Sequence, residues 1–170
     1  MDVKNCQCYE YLKSFERMDE ILNTTSAFEE KDDIPSRNEL TYNNGFYVQC
    51  YAIFIDVRDS SLLPSKYKRP TLAKIYRCFI SETVAILNNY NTCEEINIVG
   101  DCVSAIFKAV TKEQVLDVFQ AAYTTCSLVK TLNYKLCKRN IEKINIGIGI
   151  SKGRALMIQA GFKGSGINDG

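Results

Sequence analysis

The sequence has 170 residues, 46% hydrophobic and 24% charged, with a formal net charge of +1. That length suits a globular fold burying roughly 68–70% of its unfolded surface, which excludes wholesale disorder. No apolar run reaches the ~18 residues of a membrane-spanning helix. The N-terminus MDVKNCQCYEYLK has neither the apolar stretch nor the cleavage site of a secretory signal. A cytoplasmic protein without membrane contact is therefore expected.

Histidine is absent, which removes Ser-His-Asp triads, Cys-His proteases and HExxH zinc sites together. The eight cysteines, at positions 6, 8, 50, 78, 93, 102, 126 and 137, include no CxxC pair of the kind that marks a zinc site or a redox dithiol. Most fall within apolar runs, so buried structural thiols in a reducing compartment are expected. Charge is unevenly spread. Residues 1–45 hold 5 Lys/Arg against 10 Asp/Glu, whereas 46–170 hold 16 against 10. The mildly basic body suits a small polyanion, but its charge is too dilute for nucleic acid.

In chain order, the 1–45 segment contains an amphipathic helix with Tyr9, Leu12, Phe15, Ile21 and Leu22 near one face. That pattern fits a packing helix or docking arm. The stretch EEKDDIPSRNELTYNNG then reads as a polar linker closing in a turn. From residue 46 to the end the pattern is that of the main domain. FYVQCYAIFIDV reads as a buried central strand. A helix opened by Pro70 carries an apolar face of Leu72, Ile75, Tyr76, Phe79, Thr83, Ile86 and Leu87, and stops at Asn88-Asn89. EEINIVGDCVSAIFKAV reads as two strands joined at Val99-Gly100-Asp101.

Thr111 and Gln114 form a capping box opening a second helix, lined by Val115, Val118, Phe119, Ala122, Cys126, Val129 and Leu132. INIGIGIS and, after Lys152-Gly153, RALMIQAGF read as two further strands. The order β-α-β-β-α-β predicts an α+β fold of ferredoxin-like or palm type, an antiparallel sheet with helices on one face, preceded by the N-terminal helix. The Gly164–Gly170 stretch reads as an interrupted loop.

Two carboxylates stand where buried strands meet turns. Asp56 closes the first strand and Asp101 occupies the hairpin, and in this topology the two converge. Paired anions need a compensating cation, and Mg²⁺ prefers one or two carboxylates plus phosphate oxygens. The pattern points to phosphoryl or nucleotidyl transfer with two metal ions. The alternative is that both are turn-forming residues at strand ends. The loop Val57-Arg58-Asp59-Ser60-Ser61 could hold phosphates on its backbone amides, as could an ordinary Ser-rich turn.

FIDVRDSS, INIVGD and GIGISKGRALMIQAG, in that order, resemble the catalytic domain of class III nucleotidyl cyclases across residues 46–163. The resemblance implies two divalent ions, Mg or Mn, held by Asp56 and Asp101 with the Val57 carbonyl. It implies that amides from Arg58, Asp59, Ser60 and Ser61 hold the β- and γ-phosphates. Arg154 would pair with the terminal phosphates, the alternative being a solvated strand-end arginine. Cyclases that make cyclic AMP commonly place Lys four residues before the hairpin Asp. This sequence has Asn97, whose amide offers a donor and an acceptor without charge. Asn97 is assigned to base recognition, the alternative being a strand Asn without a ligand.

RPTLAKIYRCFISE, EINIVGD and GRALMIQAGFKGSGIND further resemble the pyrimidine cyclases of bacterial Pycsar antiphage systems. These convert CTP or UTP into the 3′,5′-cyclic monophosphate, which activates a separate effector. On the resemblance, CTP is preferred over UTP. It also implies a head-to-tail homodimer whose second subunit supplies an Asn/Arg pair, in a segment beyond the Gly-rich loop, so the 170 residues alone are expected to lack that half of the site. The competing readings are an adenylate or guanylate cyclase, and a catalytically silent cyclase-like module that binds nucleotide or dimerises.

Overall fold

The computed structural model describes residues 9–108, 110–161 and 168–169. Its elements run α1 (Tyr11–Asn23), β1 (Ala27–Lys31), β2 (Asn44–Val57), α2 (Leu63–Lys66), α3 (Arg69–Leu87), β3 (Cys93–Val99), β4 (Cys102–Lys108), α4 (Lys112–Cys137), β5 (Ile146–Ile158), β6 (Ala160–Gly161) and β7 (Asn168–Asp169). The chain divides into two compact units, one of Met1–Val48 with Arg154–Gly170 and one of Gln49–Gly153.

The larger unit contains the βαββαβ arrangement. β5 pairs with β2, β2 runs antiparallel to β4, and β4 runs antiparallel to β3. Alternation over the last five residues of β2, Ile53 to Val57, sets its two faces there. Ile53, Ile55 and Val57 are buried, whereas Phe54 between them is 51% exposed. Val103, Ala105 and Phe107 of β4 join the buried set, together with Ile75, Phe79 and Leu87 of α3 and Val118, Ala121, Val129, Leu132 and Leu136 of α4. Both long helices therefore cover one face of the sheet, and the other face is open within this unit. Fully burying an aliphatic side chain contributes about 1.5–3 kcal/mol, so this layer is the main source of stability.

Local signals explain the element ends. Pro70 sits in the first turn of α3, where its missing N–H breaks no helical bond. The Thr111 hydroxyl accepts from Gln114 N at 3.4 Å, and Gln114 Oε1 accepts from Thr111 N at 2.9 Å, so the capping box forms. In the hairpin turn Gly100 adopts φ +63°, a conformation that penalises a side chain. Asn133 fixes the approach to β5, its amide both donating to and accepting from the Ile144 backbone at 2.8 Å.

In the smaller unit β1 runs parallel to the first residues of β2, with Glu30 opposite Tyr47 and Lys31 opposite Val48. Ser36 and Glu39 form a second capping box, and Leu40 is buried behind it. Gly45 lies where a Cβ would come within 2.8 Å of the Phe28 ring and 2.9 Å of Ile158. β6 and β7 form a two-stranded antiparallel ribbon.

Several expectations need correction. The polar linker contains the last three residues of β1 and a 3₁₀ turn at Arg37–Glu39. Parallel pairing with β2 satisfies the AFEEK backbone although four of its five side chains are exposed, and it makes the sheet mixed rather than antiparallel. INIGIGIS and RALMIQAGF are not two strands. They form one strand, β5, because Lys152-Gly153 stays extended. Helix α1 has the expected amphipathic sequence but buries no residue, and Tyr9 precedes it. On α4 the buried stripe is rotated: Ala121 and Thr125 are inside, while Phe119 is 53% exposed and Cys126 is exposed. Among the described cysteines only Cys50 is buried. Cys78, Cys126 and Cys137 lie on outward positions of α3 and α4, where a small side chain is tolerated without packing. The Gly-rich end lies outside the described residues except for Asn168 and Asp169.

Candidate active site

Alternation along β2 puts Asp56 on the open face with Phe54, two residues before it. The β2–β4 register runs to Ile55 opposite Val103, so Asp56 lies at the end of the ladder beside Cys102. Asp101 precedes Cys102 in the hairpin turn. The thiol between them reports on both carboxylates. Burial and then the negative charge of Asp56, with a smaller share from Asp101, push the Cys102 thiol up. Tyr76, reaching from α3, is also pushed up, first by burial and then by Asp101. Both aspartates thus lie at the same end of the sheet, to either side of Cys102.

Asp101 Oδ2 is buried and has no hydrogen-bond partner. A buried carboxylate oxygen without a partner is costly, and a divalent cation is one group that would relieve it. Among the described residues no cluster of three or more His, Cys, Asp or Glu is arranged to hold a metal. Two carboxylates completed by phosphate oxygens match what Mg²⁺ accepts. The residues present therefore fit a divalent cation delivered with an anionic substrate.

The loop after Asp56 is pinned at both ends. Arg58 N donates to Asn145 O at 2.8 Å, so this amide is engaged in the sheet and only Asp59, Ser60 and Ser61 remain as phosphate-facing candidates. At the far end, Tyr67 Oη accepts from Glu142 N at 2.8 Å and Lys66 Nζ pairs with Glu142 at 2.7 Å. Between these ties Asp59 adopts φ 55° and opens the short turn Ser60–Leu62. The Arg58 side chain crosses to β5, where a Cβ on Gly147 would overlap its guanidinium. Ile146 and Ile148 pack toward the core, so Gly147 points to the open face and the guanidinium lies on the same face as Asp56.

Asn97 also belongs to that face. The hairpin register sets it opposite Ser104, which is opposite Phe54. Phe54, Ser104 and Asn97 thus form one row across three strands, one step along from Asp56. Phe54 and Ser104 were not singled out from the sequence, although they could have been. A two-residue turn at Gly100-Asp101 forces Val99 against Cys102 and Asn97 against Ser104.

Arg154 falls in the smaller unit, on β5. Its Nη2 pairs with Glu30 Oε1, and its guanidinium carbon lies 3.7 Å from the centroid of the Tyr47 ring. Glu30 and Tyr47 are direct neighbours across β1 and β2. Neither was identified from the sequence, because Glu30 sat in a segment taken as linker.

Residues 45–165 match the family model for the adenylate and guanylate cyclase catalytic domain, and the chain belongs to that family. It is 45% identical over 168 residues to a uridylate cyclase of Gulbenkiania mobilis, covering 95% of this chain and 65% of the relative. It is 36% identical over 161 residues to a uridylate cyclase of Treponema porcinum, covering 95% and 56% respectively. The chain therefore spans roughly two thirds or less of these curated relatives.

Among solved structures, a class III adenylyl cyclase-like ATP-binding protein from Pseudomonas aeruginosa superposes with a TM-score of 0.71 at 18% identity, over 88% of this chain and 36% of the other. The adenylyl cyclase CyaB from P. aeruginosa gives 0.64 at 20% identity, over 69% and 62%. These two support the fold. Among the described residues no helix is long and apolar enough to cross a membrane.

Proposed function

We propose that the chain carries the substrate-binding half of a pyrimidine nucleotide cyclase that converts UTP into 3′,5′-cyclic UMP and pyrophosphate. Both curated relatives are named uridylate cyclase, which moves the preferred base from cytosine, favoured on motif resemblance alone, to uracil. The observation that carries the chemistry is Asp101 Oδ2, buried without a hydrogen-bond partner at the end of the sheet where Asp56 also lies.

In the reaction the ribose 3′ oxygen bonds to the α-phosphorus and gives its proton to solvent. The bond from that phosphorus to the α–β bridging oxygen breaks, and pyrophosphate leaves. Asp56 and Asp101, with the Val57 carbonyl, would hold two divalent ions, Mg or Mn. When bound, these ions supply a lowered hydroxyl pKa and neutralisation of phosphate charge. Amides of Asp59 to Ser61 donate to the β- and γ-phosphates. Positioning and electrostatics are the main catalytic contributions in such transfers. A uracil edge presents O4 as acceptor and N3–H as donor, and the Asn97 amide can answer both. The working assembly in this reading is a head-to-tail homodimer, and its cyclic nucleotide activates a separate effector in antiphage defence.

The test is incubation of the purified protein, carried through its natural C-terminus, with Mn²⁺ and each of the four ribonucleoside triphosphates separately, with products identified by chromatography and mass. Cyclic UMP from the parent and none from Asp56→Ala is the expected result. Cyclic AMP or cyclic GMP would overturn the base assignment, and no product from any triphosphate would remove the enzyme reading.

A further inference from the structure

We infer that the Arg58 side chain, laid over Gly147 beside Asp56, binds the phosphate chain of the substrate. This rests on the nucleotide reading of the Asp56 and Asp101 site. It moves the role of Arg58 from its backbone amide, which is engaged with Asn145, to its guanidinium.

All the groups involved lie within the larger unit. Arg58 N bonds to Asn145 O where β2 meets β5, and further along the same pair Lys152 Nζ stands 5.8 Å from the centroid of the Tyr51 ring. The two strands therefore run antiparallel, and Asp56 lies directly opposite Gly147. Residues directly opposite each other share a face and place their Cβ atoms about 4.5–5.5 Å apart. Gly147 has no Cβ, and the Arg58 guanidinium fills that place: a Cβ there would overlap its Cζ, Nε and Nη2. Any other residue at 147 would take this room. Asp56 is thus flanked by the β3–β4 hairpin on one side and by the guanidinium on the other.

Arg58 is exposed, and among the described residues its guanidinium has no ion-pair or hydrogen-bond partner. Arg139, by contrast, closes its own helix by donating to Lys135 O at 2.9 Å. The five N–H donors of Arg58 therefore remain available in a fork. They stand beside the carboxylate of Asp56, and the amides of Asp59 to Ser61 follow directly in the chain. A triphosphate that reaches those amides brings several negative charges past Asp56. A fixed positive charge on the same face offsets that repulsion. A planar guanidinium also meets two phosphate oxygens at once, which an ammonium group does not. Lying on the Gly147 backbone, the side chain is restricted before substrate arrives, so less rotamer freedom is lost on binding.

The experiment uses the protein carried through its natural C-terminus and compares the parent with Arg58→Ala, Arg58→Lys and Gly147→Ala. Each is assayed for KM and kcat with UTP and Mn²⁺. Calorimetry gives the Kd of inorganic tripolyphosphate with Mn²⁺, a probe that has the phosphates but neither base nor ribose. Binding of Mn²⁺ alone is read by electron paramagnetic resonance. Arg58→Ala is expected to weaken tripolyphosphate binding and raise KM about tenfold or more, the weight of hydrogen bonds to a charged group. Its binding of Mn²⁺ alone should stay at the parental level or tighten, a split that general unfolding would not produce. Arg58→Lys keeps the charge without the fork and should recover only part of the loss. Gly147→Ala leaves the arginine in the chain but takes its resting place, and should raise both constants about two- to fivefold. If Arg58→Ala binds tripolyphosphate as tightly as the parent, the phosphate role is overturned, whatever happens to kcat. If it loses Mn²⁺ binding to the same extent, the residue serves the cation site and the inference is overturned as well. If the parent forms no cyclic nucleotide and tripolyphosphate binding still depends on Arg58, the cyclase reading fails and the phosphate site stands. If the parent forms cyclic UMP and Arg58→Ala matches it in KM and tripolyphosphate Kd, only the Arg58 inference fails.

Discussion

The two units fix their side chains by different means. In Gln49–Gly153 the placement comes from the core. Ile53, Ile55 and Val57 are locked under α3 and α4, so the alternate residues Phe54 and Asp56 have no choice of face. In the smaller unit, placement comes from cross-strand neighbours at the surface, with β1 aligning Glu30 against Tyr47 beneath Arg154. Core-driven placement is rigid and tolerates changes on the open face. Neighbour-driven placement depends on a few contacts and fails locally when one is removed.

The sharpest way to separate the two is an aromatic deletion in each. Phe79 is fully buried between α3 and the sheet. Phe79→Ala should cost about 3–5 kcal/mol, enough to threaten folding, as large-to-small core changes do. Phe28 is 50% exposed, and Phe28→Ala should cost about 1 kcal/mol, in proportion to the area it buries. Urea titration of both variants reads the difference. Equal losses would break the contrast between a core-built and a neighbour-built region.

Two glycines offer a finer comparison. At Gly45 a Cβ would press on the Phe28 ring at 2.8 Å and on Ile158 at 2.9 Å, so a ring and a branched side chain must both shift. Gly45→Ala should therefore destabilise by about 1–3 kcal/mol, the usual cost of overpacking. At Gly147 the obstacle is the end of a flexible arginine, the Arg58 guanidinium. Gly147→Ala should shift stability by less than about 1 kcal/mol, because Arg58 can swing aside and alanine reduces unfolded-state freedom. Thermal melts of both would check the order. A larger loss at Gly147 than at Gly45 would mean that Arg58 is held in place more firmly than Phe28.

The same contrast explains what the sequence discloses. Asp56 and Asp101 are legible because strand ends and a two-residue hairpin have periodicities that can be counted. The apolar face of α3 was legible at Ile75, Phe79, Thr83 and Leu87 for the same reason. On α4 the pattern misled, since Phe119 looks like core yet lies outward while the polar Thr125 is buried, its hydroxyl bonded to Ala121 O at 2.9 Å. Hydrophobicity marks which residues could be buried, and the partner surface decides which are. β1 was illegible because AFEEK has no apolar alternation, and its parallel partner lies across an intervening loop. Glu30 and Tyr47 were hidden with it.

The smallest effect lies in the turn that returns the chain from β1 to β2, at Glu39. Hydrogen bonds from Lys31, then from the Ser36 backbone and side chain, lower its carboxyl from the ordinary 4.5 to about 2. A folded value below the unfolded one means that the stabilisation is fully present above pH 4.5 and is lost as pH falls toward about 2. Lys31→Ala removes the largest of these influences, and the remaining Ser36 bonds should leave the carboxyl between the parental value and 4.5. Carbon-detected NMR titration of the Glu39 carboxyl in both proteins measures this directly. Because Lys31 and Glu30 are adjacent on β1, the variant also asks whether the turn and the Glu30–Arg154 pair are coupled. If Lys31→Ala moves the Glu39 titration and leaves the Arg154 side-chain NMR signals unchanged, the polar turn closes the strand connection independently of that pair.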